Sequence, residues 1–231
     1  MVIYSDQDRN TWALLFARHV QTVGNCACRD YLDGLRRLEG RASSLVGLDV
    51  LSARIGAVTP WRLVSSSGLT DDSVFFRQIA QQRFPVASAI RSRAELDFAA
   101  LPDMFHDVLG HVPYLLTPKG ALAHRLFGEV ARRGSYESGL VRQLATLFWF
   151  SFEVGLIREG RAVKALGAAV LTSPEEIRNI QKDERQIESF DLDRVLETAY
   201  QPQALQPRYF VMASINEVFA ALKRLARPEG C

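Results

Sequence analysis

The chain has few cysteines and almost no net charge, and each of these two shortages argues against a class of protein. Three cysteines in 231 residues cannot form an even disulfide framework, which favours a reducing compartment. With 28 basic and 26 acidic residues the net charge is +2, too small for a protein that binds nucleic acid through its phosphates. The N-terminus lacks a basic stretch followed by an apolar one, so no export signal is predicted.

Long apolar runs are lacking as well. The longest, Leu144 to Ile157, is interrupted by Glu153 and is shorter than the roughly 20 residues that span a bilayer. We therefore expect a cytoplasmic protein that has neither a membrane nor a nucleic acid as its partner.

The residues that are present predict a soluble globular protein. Hydrophobic residues make up 48% of the chain and charged residues 23%, and the length suits one core. Apolar side chains recur at helical spacing from Thr11 to Val23 and from Tyr31 to Leu38. Capping patterns mark further helix starts at Ser92, Thr117, Ser173 and Ser214, and short strand-like stretches run over Pro85 to Ile90, Ala162 to Leu171 and Arg208 to Met212. We predict a mostly helical α+β fold with small β elements, as a single domain over residues 1–231 with its core at about 11–226.

Two of the four histidines, His106 and His111, lie five positions apart. On a regular α-helix, positions five apart point about 140° away from each other, so the two imidazoles would not share a face. Gly110 and Pro113 are typical of a helix end, and we expect the helix to end there, so that His111 turns back towards His106. The two imidazoles would then bind one ion.

The apolar run contains one ionisable residue, Glu153. A buried carboxylate pays a large desolvation cost unless a cation or several hydrogen-bond donors compensate it. Two histidines and a carboxylate form the facial triad that binds Fe(II) for oxygen chemistry, and the same set also binds catalytic zinc. Spacing and composition leave two interpretations open: a metal centre made of His106, His111 and Glu153, or a structural histidine pair with a solvated or salt-bridged Glu153.

Two segments carry a family resemblance. Residues Pro102 to Pro113 read Pro-Asp-Met-Phe-His-Asp-Val-Leu-Gly-His-Val-Pro, and residues Phe148 to Gly155 read Phe-Trp-Phe-Ser-Phe-Glu-Val-Gly. They resemble the Pro-Asp-x-x-His-Glu-x-x-Gly-His-Val-Pro and Tyr-Trp-Phe-Thr-Val-Glu-Phe-Gly motifs of the pterin-dependent aromatic amino acid hydroxylases, which act on phenylalanine, tyrosine or tryptophan. The similarity can be followed from about Trp12 to Leu225.

The resemblance implies a ligand set and cofactors. His106, His111 and Glu153 would bind Fe(II) and form the catalytic centre, with a tetrahydropterin (tetrahydrobiopterin or a bacterial analogue) and O2 as cosubstrates. Arg91 would bind the carboxylate of the amino acid and Asp103 would hold Arg91, in the bidentate geometry that suits a guanidinium. The substrate pocket would be lined by Pro102, Trp149 and Thr172, and the pterin would lie near Gly68, Leu69, Phe75, Asp107, Ala145, Phe148 and Tyr200, with Phe75 stacking on its ring.

The implied activity is hydroxylation of the ring of a free aromatic L-amino acid. Trp149 favours L-phenylalanine, because tryptophan hydroxylases have Phe at that position, and tyrosine, tryptophan or a related aromatic substrate in secondary metabolism is the alternative. Several residues depart from the family: Asp107 replaces Glu, Phe148 replaces Tyr, and Ala169 and Thr172 would narrow the pocket whereas Val154 would enlarge it.

Two other classes of function remain possible at this stage: a zinc hydrolase with the same three ligands, and a non-catalytic binding protein on the same scaffold. His19 and His124 match no ligand position, and we expect them to be structural or surface histidines. The chain has no segment that resembles the regulatory domain or the tetramerisation helix of animal relatives, so we expect a monomer.

Overall fold

The computed structural model of the chain describes residues 3–68, 70–182 and 186–227. Within these residues the fold is mostly helical, with two small sheets, as the sequence predicts. The α-helices are α1 (Asp6–Cys26), α2 (Arg29–Ala42), α3 (Leu48–Gly56), α4 (Asp72–Ala80), α5 (Val112–Leu115), α6 (Pro118–Arg133), α7 (Ser138–Phe148), α8 (Ala168–Thr172), α9 (Pro174–Lys182), α10 (Leu192–Leu196) and α11 (Asn216–Leu225). The strands are β1 (Arg62–Ser66), β2 (Arg83–Ala87), β3 (Leu156–Glu159), β4 (Ala162–Ala165), β5 (Ile187–Ser189) and β6 (Tyr209–Met212).

Capping side chains begin several helices where the sequence places them. The hydroxyl of Thr117 accepts a hydrogen bond from the backbone N–H of Gly120 and so caps α6, and Ser173 caps α9 in the same way. At Ser92 the predicted capping pattern begins only one 3-10 turn, Arg93–Glu95. The predicted cap at Ser214 is wrong, because α11 begins at Asn216 with Ile215 as its N-cap residue and has no side-chain cap. A capping pattern therefore sets neither the start nor the length of a helix by itself.

The strands form a parallel pair, β1 with β2, and a four-stranded sheet in the order β4-β3-β6-β5. In the second sheet β3 and β4 are antiparallel, whereas β6 is parallel to both β3 and β5. The predicted strand from Ala162 to Leu171 is half wrong, since β4 ends at Ala165 and α8 begins at Ala168. A short apolar run does not distinguish a strand from a buried helical turn, which explains the error.

The helix that carries the histidines does not end at Gly110, so that prediction is wrong. His106–His111 is a π-helical segment that leads directly into α5, and a second π-helical segment, Trp149–Glu153, extends α7. A π-helix is bonded from residue i to i+5, so it brings side chains five positions apart onto one face. Pro113 lies in the first turn of α5 and does not end the helix.

Gly110 has a packing role instead. A Cβ atom at this position would lie 2.6 Å from the Cβ of Ala168, which is closer than two such atoms approach in proteins. The absence of a side chain therefore allows α8 to pack against the first π-helical segment.

The core between these elements is rich in aromatic rings. His124 is fully buried there, with its ring centroid 4.4 Å from that of Phe152. His19 is also buried and lies within hydrogen-bond distance of the hydroxyl of Tyr31, 2.6 Å away. Both histidines are structural, as predicted. No helix among the described residues combines the length and apolar character needed to cross a membrane.

Candidate active site

The two π-helical segments bring the three predicted ligands together. The Nε2 atom of His111 lies 3.0 Å from Oε1 of Glu153, and Nε2 of His106 lies 3.4 Å from Oε2. One ligand atom from each residue lies within 4.8 Å of the others. The donor set and its spacing fit a single metal ion with two histidines and one carboxylate as its protein ligands.

Nδ1 of His106, the ring nitrogen that does not face Glu153, is held by Thr172. Nδ1 of His106 lies 3.0 Å from Oγ1 of Thr172, and the Thr172 hydroxyl donates to the carbonyl oxygen of Ala168 at 2.7 Å. Because a hydroxyl has one proton to donate, Nδ1 of His106 must be the donor to Thr172. The tautomer is therefore the one that leaves Nε2 free to bind a metal.

Charges within the cluster shift the pKa values of Glu153 and His106. Burial alone would raise the pKa of Glu153, but the charge of His111 and the hydrogen bonds from both imidazoles lower it well below its usual range. Burial would lower the pKa of His106, but Glu153 and Asp107 raise it above its usual value. Glu153 is therefore ionised at neutral pH, the state in which it would bind a cation.

A buried ion pair lies beside the cluster. Nε and Nη2 of Arg91 donate to the two oxygens of Asp103 at 3.1 and 2.8 Å, and Nη1 donates to the carbonyl oxygen of Thr172 at 3.2 Å. These bonds use three of the five N–H donors of the guanidinium among the described residues. Two donors remain for a ligand. Burial would raise the pKa of Asp103, but Arg91 lowers it, so the pair is charged.

One cavity of about 500 Å3 joins these groups. It is lined by almost all the residues that the resemblance singled out: Gly68, Phe75, Arg91, Pro102, His106, Asp107, His111, Ala145, Phe148, Trp149, Glu153, Thr172 and Tyr200. Asp103 lies behind Arg91 instead. Leu69 lies outside the described residues. The departures at Val154 and Ala169 also line this cavity, so they can affect what it holds.

Asp107 lies on the same cavity, where it accepts a hydrogen bond from the backbone N–H of Ala87 at 2.6 Å. Burial raises its pKa to about 6. Phe75 lies edge-on to Phe148, with 5.1 Å between ring centroids, in the part of the cavity predicted to hold the pterin.

Sequence reasoning missed two buried polar residues of the cavity wall. Gln206 and Glu176 are each 2% exposed, and the side chain of Gln206 accepts a hydrogen bond from Nε1 of Trp149. Gln206 lies in a stretch that contributes to the family resemblance, but its type and spacing alone point to no chemistry. Phe98, Ala99 and Leu101 line the opposite side and carry no polar side chain that could have signalled a site.

Comparison with known proteins agrees with this geometry. Residues 1–228 match the model of the family described as biopterin-dependent aromatic amino acid hydroxylase. The chain belongs to that family. A phenylalanine-4-hydroxylase from Chromobacterium violaceum is 35% identical over 219 residues, which are 94% of this chain and 73% of the relative.

Solved structures of a hydroxylase of this family show the same fold. A Chromobacterium violaceum phenylalanine hydroxylase with iron(III) and oxidised 7,8-dihydrobiopterin has a TM-score of 0.86 and 35% identity, over 96% of this chain and 81% of that one. The iron- and phenylalanine-bound structure from the same organism has a TM-score of 0.83 and 33% identity, over 96% of this chain and 82% of the other. The chain is therefore an aromatic amino acid hydroxylase by sequence and by fold.

Proposed function

We propose that this hydroxylase uses iron and a tetrahydropterin to hydroxylate the ring of free L-phenylalanine, giving tyrosine. The observation that carries the proposal is that His106, His111 and Glu153 share one cavity with the guanidinium of Arg91. The metal cluster supplies a place for O2 chemistry, and the guanidinium supplies a place for an amino acid carboxylate. The bound iron, pterin and phenylalanine in the related structures support this combination.

The three ligands would hold the metal through Nε2 of each histidine and the carboxylate of Glu153. Three protein ligands leave three positions of an octahedral ion open. When bound, Fe(II) and a tetrahydropterin supply the activation of O2, which side chains alone do not perform. The protein positions the reactants and keeps bulk water away from them.

Arg91 would bind the carboxylate of the substrate with its two remaining N–H donors, as Lys could not in this bidentate arrangement. Asp103 keeps the guanidinium aligned by accepting two of its hydrogen bonds. Pro102, Trp149 and Thr172 would line the space for the substrate. The indole of Trp149 presents a flat apolar surface, which suits packing against an aromatic ring.

The pterin would lie at the end of the cavity formed by Gly68, Phe75, Asp107, Ala145, Phe148 and Tyr200, and Leu69 is proposed with them. Phe75 and Phe148 offer aromatic faces for a planar ring. Asp107 has one oxygen bonded to Ala87 and a second oxygen available to a ring N–H or a water.

The decisive experiment is an aerobic incubation of the Fe(II)-loaded protein with a tetrahydropterin and, separately, phenylalanine, tyrosine and tryptophan. We expect phenylalanine to gain one oxygen, and mass spectrometry against positional standards identifies the product. Omission of iron or of pterin should abolish the product. If tryptophan has the higher kcat/KM, the assignment of phenylalanine is wrong.

Two other results would change the class of function. Pterin and iron binding without any hydroxylated product would favour a non-catalytic binding protein. Hydrolysis supported by zinc and not by iron would favour a zinc hydrolase. We also propose a single catalytic domain that acts as a monomer in the cytoplasm. The free thiols of Cys26 and Cys28 support the reducing compartment. Light scattering coupled to size exclusion measures the oligomeric state.

A further inference from the structure

The indole of Trp149 forms part of the cavity wall, and contacts with two other residues of that wall fix its orientation. Its ring lies nearly parallel to that of Tyr200, with 4.7 Å between centroids and 12° between planes. Its Nε1–H donates to Oε1 of Gln206 at 3.2 Å. Stacking fixes the plane of the indole but leaves it free to slide, whereas the hydrogen bond fixes its position within that plane.

The carboxamide of Gln206 has no freedom of its own. Its Nε2 donates to the carbonyl oxygen of Gln201 at 2.9 Å and to that of Ala204 at 2.7 Å. Both amide protons are therefore used, and Oε1 must face the indole N–H, which can only donate. Gln206 is 2% exposed, so water does not compete for these bonds.

The backbone of Gln206 is anchored just as firmly. Its N–H donates to Oε1 of Glu176 at 3.1 Å, and its carbonyl accepts from Nδ2 of Asn179 at 2.8 Å. The second oxygen of Glu176 accepts from the hydroxyl of Tyr209, and that hydroxyl accepts from Asn179 at 2.7 Å. Helix α9 and strand β6 thus hold Gln206 through a closed network of buried hydrogen bonds, which is rigid because every member has a partner.

We propose that Gln206 is a positioning residue for substrate selection in this hydroxylase. The hydrogen bonds that join Gln206 to α9 and β6 keep its side chain in place, and Gln206 in turn keeps the Trp149 indole in one position. This indole is the wall against which the aromatic ring of the substrate lies. This inference rests on the proposed function, because that function makes the ligand an aromatic amino acid.

The first test is a double-mutant cycle with Gln206→Met and Trp149→Phe. Methionine keeps the length of the side chain but removes the acceptor and both donors. We expect Q206M to raise the KM for phenylalanine about tenfold, the size of one lost buried hydrogen bond, with a smaller change in kcat. In the W149F background the indole donor is gone, so Q206M should change KM far less.

The matched control is Gln203→Met, because Gln203 is exposed in the same loop and does not line the cavity. It should leave KM unchanged. If Q206M raises KM equally in the wild-type and W149F backgrounds, Gln206 supports the loop in general and the proposal is wrong. If Q206M does not fold, Gln206→Glu is used as a retention variant: it keeps an oxygen that accepts from the indole and loses both amide donors, so KM should stay near the wild-type value, and a rise of about tenfold would overturn the proposal.

The second test reads Trp149 without turnover. Trp12 and Trp61 are 1% and 0% exposed in the core, so the difference in fluorescence between wild type and W149F isolates Trp149. We expect Q206M to shift the emission of Trp149 and to weaken its response to added phenylalanine, whereas Q203M does neither. Unchanged emission in Q206M would overturn the proposal. If the wild type hydroxylates no aromatic amino acid, the proposed function fails, and the emission of Trp149 still tests its link to Gln206.

Discussion

The two π-helical segments carry the three proposed ligands, and they hold them by different means. The first, His106–His111, is fixed by Asp103 just before it and by Thr172 and Tyr31 from distant parts of the chain. Thr172 accepts from Nδ1 of His106, Asp103 accepts from its backbone N–H at 2.9 Å, and the hydroxyl of Tyr31 donates to the carbonyl oxygen of Leu109 at 2.5 Å.

The second segment, Trp149–Glu153, is held mostly by local bonds. The hydroxyl of Ser151 donates to the carbonyl oxygen of Leu147, one turn earlier, and the backbone N–H of Val154 donates to that of Trp149. The carboxylate of Glu153 has only the two imidazoles as polar partners among the described residues.

The difference shows which part of the proposed metal centre is ordered before an ion binds. The imidazole of His106 keeps its orientation through Thr172 without an ion, whereas Nδ1 of His111 is buried and has no hydrogen-bond partner among the described residues. Glu153 is oriented by the histidines themselves and by whatever cation they bind. Changes at the first segment should therefore alter the geometry of the site, whereas changes at Glu153 should alter its charge.

Replacement of the carboxylate should have the largest effect. Glu153→Gln removes the single negative charge among the three ligands, and we expect the affinity for Fe(II) to fall by at least about a hundredfold, more than the loss of an outer-shell partner costs. Glu129→Gln is the control, because Glu129 is a half-buried glutamate on α6 that pairs only with Arg125 and Arg133. Metal titration followed by metal analysis measures both; equal iron retention in the two variants contradicts the ligand assignment.

Crowding the first segment should have the next largest effect. In Gly110→Ala the new Cβ would meet Ala168, and we expect a loss of about 1–3 kcal/mol in the free energy of unfolding. Gly24→Ala is the control, since a Cβ there meets nothing within 4 Å and alanine is the better helix former. Denaturant unfolding compares them. A G110A protein as stable as G24A would show that α8 can move away at no cost.

Loss of the Thr172 hydroxyl, which accepts from Nδ1 of His106, should weaken metal binding less than loss of a proposed ligand. Thr172→Val keeps the shape of the side chain but leaves Nδ1 of His106 without an acceptor, and we expect about a tenfold lower affinity for Fe(II). Ser151→Ala makes a similar change in the second segment, where the hydroxyl bonds only to backbone carbonyls. Isothermal titration should show that the Ser151→Ala variant binds Fe(II) as tightly as wild type. Equal losses of metal affinity in the two variants would remove the contrast between the segments.

The smallest effect on the proposed metal ligands concerns the carboxylate beside His106, whose replacement acts on stability. The pKa of Asp107 is raised to about 6 in the folded protein, above its value in the unfolded chain, so the metal-free protein loses stability as the pH rises from about 4 to 6. Asp107→Asn keeps an acceptor for Ala87 and cannot ionise. At pH 8 we expect the variant to be more stable than wild type by up to about 3 kcal/mol, with the difference vanishing near pH 4. Thermal unfolding across this range tests it, and a constant difference would contradict the assignment to Asp107.

Sequence reasoning predicted the three proposed ligands, which the structure brings together, but not how the backbone presents them. The expectation of a helix end at Gly110 follows from the rule that glycine favours helix termini, and the structure uses the same residue for close packing instead. Whether a helix widens into a π turn depends on contacts such as Tyr31 with Leu109, which join residues 78 positions apart. Such contacts leave no periodic signal in the sequence.

The same limit applies to the wall of the cavity. Arg91 and Asp103 were predicted through the family resemblance, and the structure places them in a buried pair. Gln206 and Glu176 form an equally buried network, but their polar groups face protein atoms, and no spacing rule connects α9 to β6. A helix with strong amphipathic periodicity, such as α2, was predictable because the apolar side chains that it buries recur at helical spacing within one segment.

Thr172 has a consequence for how the ligands of this hydroxylase would bind together. Its hydroxyl accepts from His106 and its carbonyl accepts from Arg91, so one short helix touches both the proposed metal site and the proposed carboxylate site. We expect occupation of either proposed site to restrain α8 and so to favour occupation of the other. By thermodynamic linkage such a coupling is reciprocal. The factor by which phenylalanine would strengthen iron binding equals the factor by which iron would strengthen phenylalanine binding.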